Sequence, residues 1–301
     1  MTELLRVGTR RSRLALAQTD SVVRRLASRF PDIRFETVPI DTSGDRDRTV
    51  GGSPDFTDEI DRVLARGAID LAVHSAKDLD STLPRGFELA ACTRRADPRD
   101  CLVVRAELSP RRLPRGARVG SSSLRRRAQL LRQRPDLDIR EIRGNVDTRV
   151  ELVRNGTLDA VILAVAGLTR LGRRGEIGRI LATTQFLPAP AQGALAVVIR
   201  SDDSSVRPIV ETIDHGPTLA AVLAERSFSA GLGGDCRLPL AALASVRGRS
   251  ISIVGEVLST DGTRHIRASR RGPSRRAEEL GRSLAKSVLD HGAAEMLASR
   301  P

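Results

Sequence analysis

Asp-Leu-Ala-Val-His-Ser-Ala-Lys-Asp, residues 70–78, joins a short apolar run to a hydroxyl, an ammonium and a carboxylate group. Such a run is typical of a buried strand. Ligands of open α/β sheets bind beyond the carboxyl ends of strands, so Ser75, Lys77 and Asp78 are candidate site residues. Asp78 is suited to general acid–base work or to stabilising a cation. In isolation, a capping aspartate beside a solvated lysine is the simpler explanation.

On both sides of this segment, strand patterns alternate with helix patterns. The first unit is predicted at residues 4–9, 12–30, 35–39, 56–66, 70–74 and 87–92. A second unit follows at residues 101–104, 118–120, 124–133, 138–142, 146–154 and 160–164. Repeats of strand and helix predict an α/β fold with mainly parallel sheets. We expect the strand at 194–199 to return to the first sheet.

The pattern changes near residue 215. A helix at 217–230, a glycine-rich loop, three strands at 240–246, 250–258 and 266–270, and a helix at 275–297 predict a small α/β domain with an antiparallel sheet. Asp261-Gly262 is its hairpin turn. The predicted domains are residues 1–95 with 194–214, residues 96–193, and residues 215–301.

The composition indicates a soluble globular protein, because 40% of the 301 residues are hydrophobic and 29% are charged. The apolar runs are too short to span a bilayer, and the first residues show no signal pattern. Cys92, Cys101 and Cys236 are far apart and form no CxxC motif. This spacing argues against disulfides and against a metal site, and it favours a cytoplasmic location.

The net charge of +13 is carried almost wholly by arginine. A GC-rich genome explains this excess as well as an anionic partner does. A nucleic-acid partner is disfavoured, because Trp and Tyr are absent and Phe numbers only 6. The arginines stand in pairs near loop and helix starts, which favours clamping of carboxylates or phosphates.

Several strand-to-helix junctions combine hydroxyl groups with arginines, a pattern that binds anions at helix N-termini. They are residues 9–13 (TRRSR), 120–126 (GSSSLRR) and 143–149 (RGNVDTR), and residues 163–170 (LAVAGLTR) end in a further arginine. Helix capping by serine explains the first junction equally well. Helix capping does not explain the junction at residues 120–126, where three serines precede a pair of arginines.

Cys236 lies in the glycine-rich stretch Leu-Gly-Gly-Asp-Cys-Arg-Leu-Pro, residues 232–239. A cysteine in a loop beside an arginine suits a reactive thiol, although a buried inert cysteine fits equally well. Cys92 and Cys101 lie in apolar strand contexts, which favours the inert interpretation for them.

Taken in order, these motifs resemble those of the porphobilinogen deaminase (hydroxymethylbilane synthase) family over nearly the whole chain. The matching segments are TRxS (9–12), AVHSxKD (72–78), ADPRD (96–100, similar to EDPRD), GxSSLRR (120–126), QRPDL (133–137, similar to RRPDL), RGNVxTR (143–149), DAxILAVAGLxRLG (159–172) and GxCxxPL (234–240).

The resemblance implies two periplasmic-binding-protein-like lobes with the active cleft between them, and a third domain that carries the cofactor loop. It implies a monomeric transferase of tetrapyrrole and heme biosynthesis. Such an enzyme condenses four porphobilinogen units onto a cysteine-linked dipyrromethane, loses ammonia at each step and releases hydroxymethylbilane. The implied partners are small poly-carboxylate pyrroles, with no nucleic acid, membrane or metal.

The resemblance also implies residue roles. Asp78 matches the catalytic aspartate, expected to be buried, which stabilises the cation formed on deamination. Residues expected to hold the cofactor are Cys236, which attaches it, with Lys77, Ser121, Ser123, Arg125 and Arg126. Residues expected to bind substrate are Arg10, Ser12, Ser75, Arg143, Arg149, Arg170 and Gln192.

The chain departs from the family pattern near these positions. Residues 51–56 (GGSPDF) lack the lysines of the family's covering loop, and Asp235 replaces the glycine before the cofactor cysteine. Asp147 replaces the glycine of RGNVGTR, and Ala191 replaces the first glycine of a Val-Gly-Gln-Gly turn. These changes keep two alternatives open: a divergent paralogue acting on another carboxylated pyrrole, or a non-catalytic protein that binds anionic ligands on the same scaffold.

Overall fold

The computed structural model describes residues 3–46, 56–234 and 238–298. The chain forms two compact units, Met1–Ala96 with Ala194–Leu219 (unit 1) and Asp97–Gly193 with Ala220–Pro301 (unit 2). The finer division into three domains stays a prediction. The elements in chain order are β1 (Glu3–Arg10), α1 (Arg13–Ala27), β2 (Ile33–Ile40), α2 (Ser43–Arg46), α3 (Asp58–Ala65), β3 (Leu71–Ser75), β4 (Phe87–Cys92), β5 (Asp100–Val104), β6 (Arg118–Gly120), α4 (Leu124–Gln133), β7 (Asp138–Arg140), α5 (Val146–Arg154), β8 (Ala160–Ala164), α6 (Val165–Arg170), β9 (Arg179–Ile180), β10 (Leu195–Arg200), α7 (Val206–Glu211), α8 (Gly216–Ala230), β11 (Leu240–Arg247), β12 (Ser250–Leu258), β13 (His265–Pro273), α9 (Ala277–Val288) and α10 (Ala294–Ala298).

The sheet of unit 1 has the strand order β2-β1-β3-β10-β4. Strand β1 is parallel to β2 and β3, whereas β10 is antiparallel to β3 and β4. The predicted return of this late strand to the first sheet is therefore confirmed. In register, Leu195 lies opposite Ser75 and Ala196 opposite His74. The candidate residues that follow the carboxyl end of β3 thus lie near the first residues of β10.

The core of unit 1 lies between this sheet and α1. Val22 and Leu26 of α1 are fully buried in one cluster with Val7, Leu71 and Val197 of the central strands. Apolar side chains at this spacing lie on one face of a helix, which explains the burial. The helix begins after Ser12, whose extended backbone and Oγ, accepting from the amide of Ala15 at 3.3 Å, form an N-cap.

The first sheet of unit 2 has the strand order β7-β6-β8-β5-β9. Strand β6 is parallel to β7 and β8, and β5 is antiparallel to β8 and β9. Both large sheets are therefore mixed, with parallel strands on one side and antiparallel strands on the other. The two-residue strand β9 was not predicted, because it is too short to show periodicity.

A three-stranded antiparallel sheet, β11-β12-β13, completes unit 2. Its core includes Phe228 of α8, Ile253 of β12 and Leu284 of α9, all fully buried. The predicted turn at Asp261-Gly262 joins β12 to β13. Gly262 has φ +75°, and a Cβ there would clash with the carbonyl oxygen of Ala128 in α4. Both the backbone conformation and this close approach require glycine. The predicted α/β class with a small antiparallel C-terminal sheet is confirmed.

The prediction of one helix over residues 275–297 is wrong. Helix α9 ends at Val288, a wide turn covers Leu289–Ala293, and α10 begins at Ala294. Gly292 has φ +94°, a left-handed conformation that ends helices, and the apolar periodicity does not reveal it. Among the helices that the structure describes, none combines the length and the apolar character needed to cross a membrane.

Candidate functional site

The site residues predicted in unit 1 meet at the carboxyl ends of β1 and β3. Arg10 ends β1, and Asp78 lies in a 3₁₀ turn directly after β3. Arg10 Nη1 is 3.9 Å from Asp78 Oδ2. Ser75 Oγ donates to Gln18 Oε1 of α1 at 3.1 Å. Arg10, Ser12, Ser75 and Asp78 line one small cavity of about 40 Å³.

The same cavity is also lined by side chains that the sequence did not assign to the site. The guanidinium of Arg10 lies 3.8 Å from the centroid of the Phe56 ring, which positions it by a cation–π contact. Gln18 and His74 line the cavity as well. Gln18 lies one helical turn after Leu14 and Ala15, which line the same cavity, so the helical spacing places it on that face of α1. Asp78 was expected to be buried, but 30% of its side chain is exposed.

His74 is a buried, neutral imidazole beside this cavity. Burial, and then the positive charge of Arg10, lower the pKa of His74 to about 4. Nε2 of His74 makes no hydrogen bond within the parts of the chain that the structure describes. The sequence indicates this buried imidazole only by placing a histidine inside an otherwise apolar strand.

The two adjacent arginines of α4, Arg125 and Arg126, are buried and bind the same carboxylate, that of Asp100. Arg125 Nη1 donates to Asp100 Oδ2 at 2.7 Å, and Arg126 Nη2 donates to Oδ1 at 2.7 Å. The exposed fractions are 4% for Arg125, 6% for Arg126 and 0% for Asp100. Burial alone would raise the pKa of Asp100, but the two arginine charges outweigh it and lower this pKa to about 2. Burial lowers the pKa of Arg125.

Asp100 is the site residue that sequence reasoning missed in unit 2. It ends the DPRD motif and begins β5, where a carboxylate entering an apolar strand requires a cationic partner. Gln192 belongs to the same cluster, since its Nε2 donates to Asp100 Oδ1 at 3.0 Å and to the carbonyl of Pro98 at 2.7 Å.

The predicted serines lie at the N-terminus of α4. Ser123 Oγ accepts from the amide of Arg126 at 3.4 Å and caps the helix. Ser121 Oγ accepts from the amide of Ser123 at 3.2 Å. The capping interpretation is therefore correct for Ser123, and Ser121 shapes the turn before the helix.

The remaining predicted arginines flank the N-terminus of α5 and the end of α6. Arg149 donates from Nη2 to Ser122 Oγ at 3.0 Å and from Nε to the carbonyl of Gly144 at 2.9 Å. Arg143 Nη2 is 3.0 Å from Glu141 Oε1. Arg170 donates to the carbonyl of Gly193 at 2.7 Å, and burial lowers its pKa to about 10.

Asp147, which departs from the family pattern, lies in the first turn of α5. Its Oδ1 accepts from Arg173 Nη1 at 2.5 Å. An acidic side chain is favoured at a helix N-terminus, and Arg173 neutralises it further. The structure therefore accommodates this change without an uncompensated negative charge beside Arg143 and Arg149.

The cysteines differ in what the structure describes. Cys236 and its neighbour Asp235 lie outside the described residues, as do residues 51–55 of the lysine-free stretch. Cys92 and Cys101 are fully buried, as expected for inert thiols. Burial, followed by the charge of Asp100, raises the pKa of Cys101 to about 12. In the described ranges, no three His, Cys, Asp or Glu side chains group in a way that could hold a metal ion.

These features define a class of α/β protein whose strand ends bring guanidinium, hydroxyl and carboxylate groups together. Residues 5–208 match the family model described as "Porphobilinogen deaminase, dipyromethane cofactor binding domain", and residues 219–290 match "Porphobilinogen deaminase, C-terminal domain". The chain belongs to the porphobilinogen deaminase family. The expected transferase activity in tetrapyrrole biosynthesis and the dipyrromethane cofactor are thereby confirmed.

Curated relatives match this chain over nearly their whole length. It is 45% identical over 293 residues to a porphobilinogen deaminase of Thermus thermophilus, with 97% of each chain covered. It is 44% identical over 303 residues to that of a Roseiflexus species, with 99% of this chain and 100% of the relative covered. Among solved structures, it is similar to the periplasmic aliphatic sulphonate binding protein SsuA of Escherichia coli, with 16% identity, TM-score 0.38, and 77% and 70% of the two chains covered.

Proposed function

We propose that this chain condenses porphobilinogen units with loss of ammonia, and that Asp78 is its catalytic residue. The observation that carries the proposal is the placement of Asp78 at the end of β3, on one cavity with Arg10, Ser12 and Ser75. The carboxylate of Asp78 can stabilise a cation that forms in the cavity. The guanidinium of Arg10 and the hydroxyls of Ser12 and Ser75 can bind the carboxylates of a substrate.

Asp78 acts on the charge that the reaction creates. Loss of ammonia from an aminomethylpyrrole leaves a cation on the ring, and a fixed carboxylate nearby lowers the energy of that cation. Arg10, 3.9 Å away, positions the carboxylate without a close bidentate bond. Because 30% of the Asp78 side chain is exposed, the carboxylate is accessible to a substrate.

The arginines predicted to bind substrate receive its acetate and propionate groups. Each pyrrole unit brings two carboxylates, and guanidinium groups bind these with paired hydrogen bonds. The bonds of Arg149 to Ser122 and Gly144 fix its orientation before a ligand arrives. We assign Arg10, Ser12, Ser75, Arg143, Arg149, Arg170 and Gln192 to substrate binding.

The residues of unit 2 fit a bound dipyrromethane. Arg125 and Arg126 share the single carboxylate of Asp100, so the cluster retains an excess positive charge. Nε of Arg125 is buried and has no hydrogen-bond partner among the described residues. We propose that these arginines, Ser121 and Ser123 hold the cofactor, that Lys77, which belongs to unit 1, also binds it, and that Cys236 attaches it. When bound, the group supplies the pyrrole end onto which substrate is condensed.

Intact-protein mass spectrometry of the purified chain tests the attachment. We expect the mass to exceed the sequence mass by one dipyrromethane, and the increment to disappear in Cys236→Ser. Cys101→Ser is the matched control and should keep it, because Cys101 is fully buried. An unmodified wild-type chain from cells that make porphobilinogen would contradict the proposal.

Ammonia release from porphobilinogen tests the role of Asp78. We expect Asp78→Asn to lower the rate about 10²-fold or more, because electrostatic stabilisation of this kind contributes that much. Asp80→Asn removes an exposed carboxylate two residues away and should leave the rate unchanged. Equal rates in the two variants would exclude Asp78 as the catalytic residue.

We also propose that the chain acts as a cytoplasmic monomer on small poly-carboxylate pyrroles. Three widely spaced cysteines without a CxxC motif suit a reducing compartment. Light scattering after size exclusion should give a mass near 32.5 kDa. A mass of twice that value would refute the monomer.

A further inference from the structure

A cavity in unit 2 has an apolar floor and a cationic rim. None of its lining residues belongs to those proposed above to bind substrate or cofactor. Its volume is about 140 Å³. Leu130 of α4, Leu137 and Phe186 form part of the floor, and all three are buried. Arg111 and Arg179 lie at the rim and are exposed.

The two rim arginines are not neutralised. Within residues 3–46, 56–234 and 238–298, neither guanidinium has a carboxylate partner; Arg179 donates only to the carbonyl of Arg111, at 3.4 Å. Arg134, which also lines the cavity, differs because its Nε and Nη2 each lie 2.7 Å from an oxygen of Asp136. The positive charge available to a ligand is therefore that of Arg111 and Arg179.

The size of the cavity restricts the ligand further. Engineered apolar cavities of about 150 Å³ bind benzene, so a space of this volume accepts one six-membered ring. Arginine presents a planar fork of donors that matches a carboxylate. We propose that this cavity is a second ligand site and that it takes a small aryl carboxylate, with the ring on the apolar floor and the carboxylate at the arginine rim.

The proposed site is separate from the candidate deaminase site, by which we mean the residues proposed above to bind substrate and cofactor. It lies at the C-terminal end of α4, whereas Ser123, Arg125 and Arg126 lie at the N-terminal end. A helix of 10 residues is roughly 15 Å long, and these two groups of residues lie at its opposite ends. Phe186 nevertheless connects them, since its ring centroid is 5.8 Å from the guanidinium carbon of Arg125.

Calorimetric titration of the full chain with benzoate tests the proposal. We expect saturable binding, and binding of the uncharged isostere benzamide that is about tenfold weaker or more, because a hydrogen bond to a charged group contributes that much. Arg179→Gln should weaken benzoate binding by a similar factor. Ala182→Phe, at the exposed rim of the cavity, should abolish it by filling the space.

Two matched controls identify the site. Arg112→Gln removes the same charge from an exposed neighbour that does not line the cavity, and it should leave the affinity unchanged. Arg149→Gln perturbs the candidate deaminase site and should also leave it unchanged. Equal affinities for benzoate and benzamide would overturn the proposal. So would loss of binding in Arg149→Gln with full binding in Arg179→Gln, or no saturable binding at all.

Discussion

Arg125 and Asp100 form an ion pair in the interior of unit 2, with Nη1 2.7 Å from Oδ2 and side-chain exposures of 4% and 0%. Arg126 occupies the other oxygen of the same carboxylate. One buried aspartate therefore positions two adjacent arginines of α4. Removing one partner of such a cluster leaves a charge in a poorly solvated environment, which is strongly destabilising.

Asp100→Asn should lower the free energy of unfolding by about 3–5 kcal/mol, because it removes the charge of the carboxylate that pairs with two buried guanidiniums. Urea denaturation at pH 7 measures this loss. Asp138→Asn breaks an ion pair with Arg140 whose side chains are 62% (Arg140) and 38% (Asp138) exposed, and it should cost less than about 1 kcal/mol. Similar losses in both variants would show that the Asp100 cluster adds no special stability.

His74 should make the stability fall as the pH falls. Its pKa is about 4 in the folded chain, against about 6.5 when unfolded. The unfolded state therefore takes up a proton first, so the contribution is complete above pH 6.5 and is lost toward pH 4. Between pH 7.5 and pH 5 the loss is roughly 2 kcal/mol.

Urea denaturation across that range, in the wild type and in His74→Gln, measures this dependence. Between pH 7.5 and pH 5, the free energy of unfolding should fall by roughly 2 kcal/mol more in the wild type than in His74→Gln. Asp100 does not contribute in this window, because its lowered pKa of about 2 places its loss of stability below pH 3.8. His291→Gln, at an exposed histidine, should behave as the wild type does. Parallel curves for the wild type and His74→Gln would contradict a neutral buried His74.

Ala191→Gly should raise the free energy of unfolding by about 1 kcal/mol. Ala191 has φ +62°, a left-handed conformation in which a Cβ is strained, and the family pattern has glycine there. Ala189→Gly, two residues earlier and without a positive φ, should instead destabilise the chain by a similar amount. Thermal unfolding of the two variants gives the sign of each change, and a loss of stability in both would refute strain at Ala191.

Glu225→Gln should destabilise the chain by about 1–3 kcal/mol. Glu225 is fully buried, and its two oxygens accept from the amides of Ala191 at 2.5 Å and Ala244 at 2.6 Å. Glutamine retains one acceptor oxygen but turns an N–H group toward the second amide, which then lacks a partner. Glu211→Gln, at an exposed glutamate, should change the urea midpoint little. Unchanged midpoints in both variants would argue against a structural role for Glu225.

Local patterns predicted several elements with their exact bounds. The predictions for β6, α4, α5 and β8 match the structure residue for residue, because apolar periodicity and polar N-caps lie within a few neighbouring positions. The helix that breaks at Gly292 was not predicted by the apolar periodicity. A glycine that ends a helix and one that continues it differ in backbone angle, which composition does not express.

The alternation of strands and helices and the pairing of hydroxyl groups with arginines at the junctions are evident from the amino-acid sequence, since each depends on residues close together in the chain. The order of the motifs along the whole chain indicates the family. The folded structure established that Asp100 pairs with both Arg125 and Arg126, which lie 25 and 26 residues further along the chain. It also decided that β10 lies between β3 and β4, and that burial and Arg10 keep His74 neutral. Charge and burial act through space, so their partners are known only once the chain has folded.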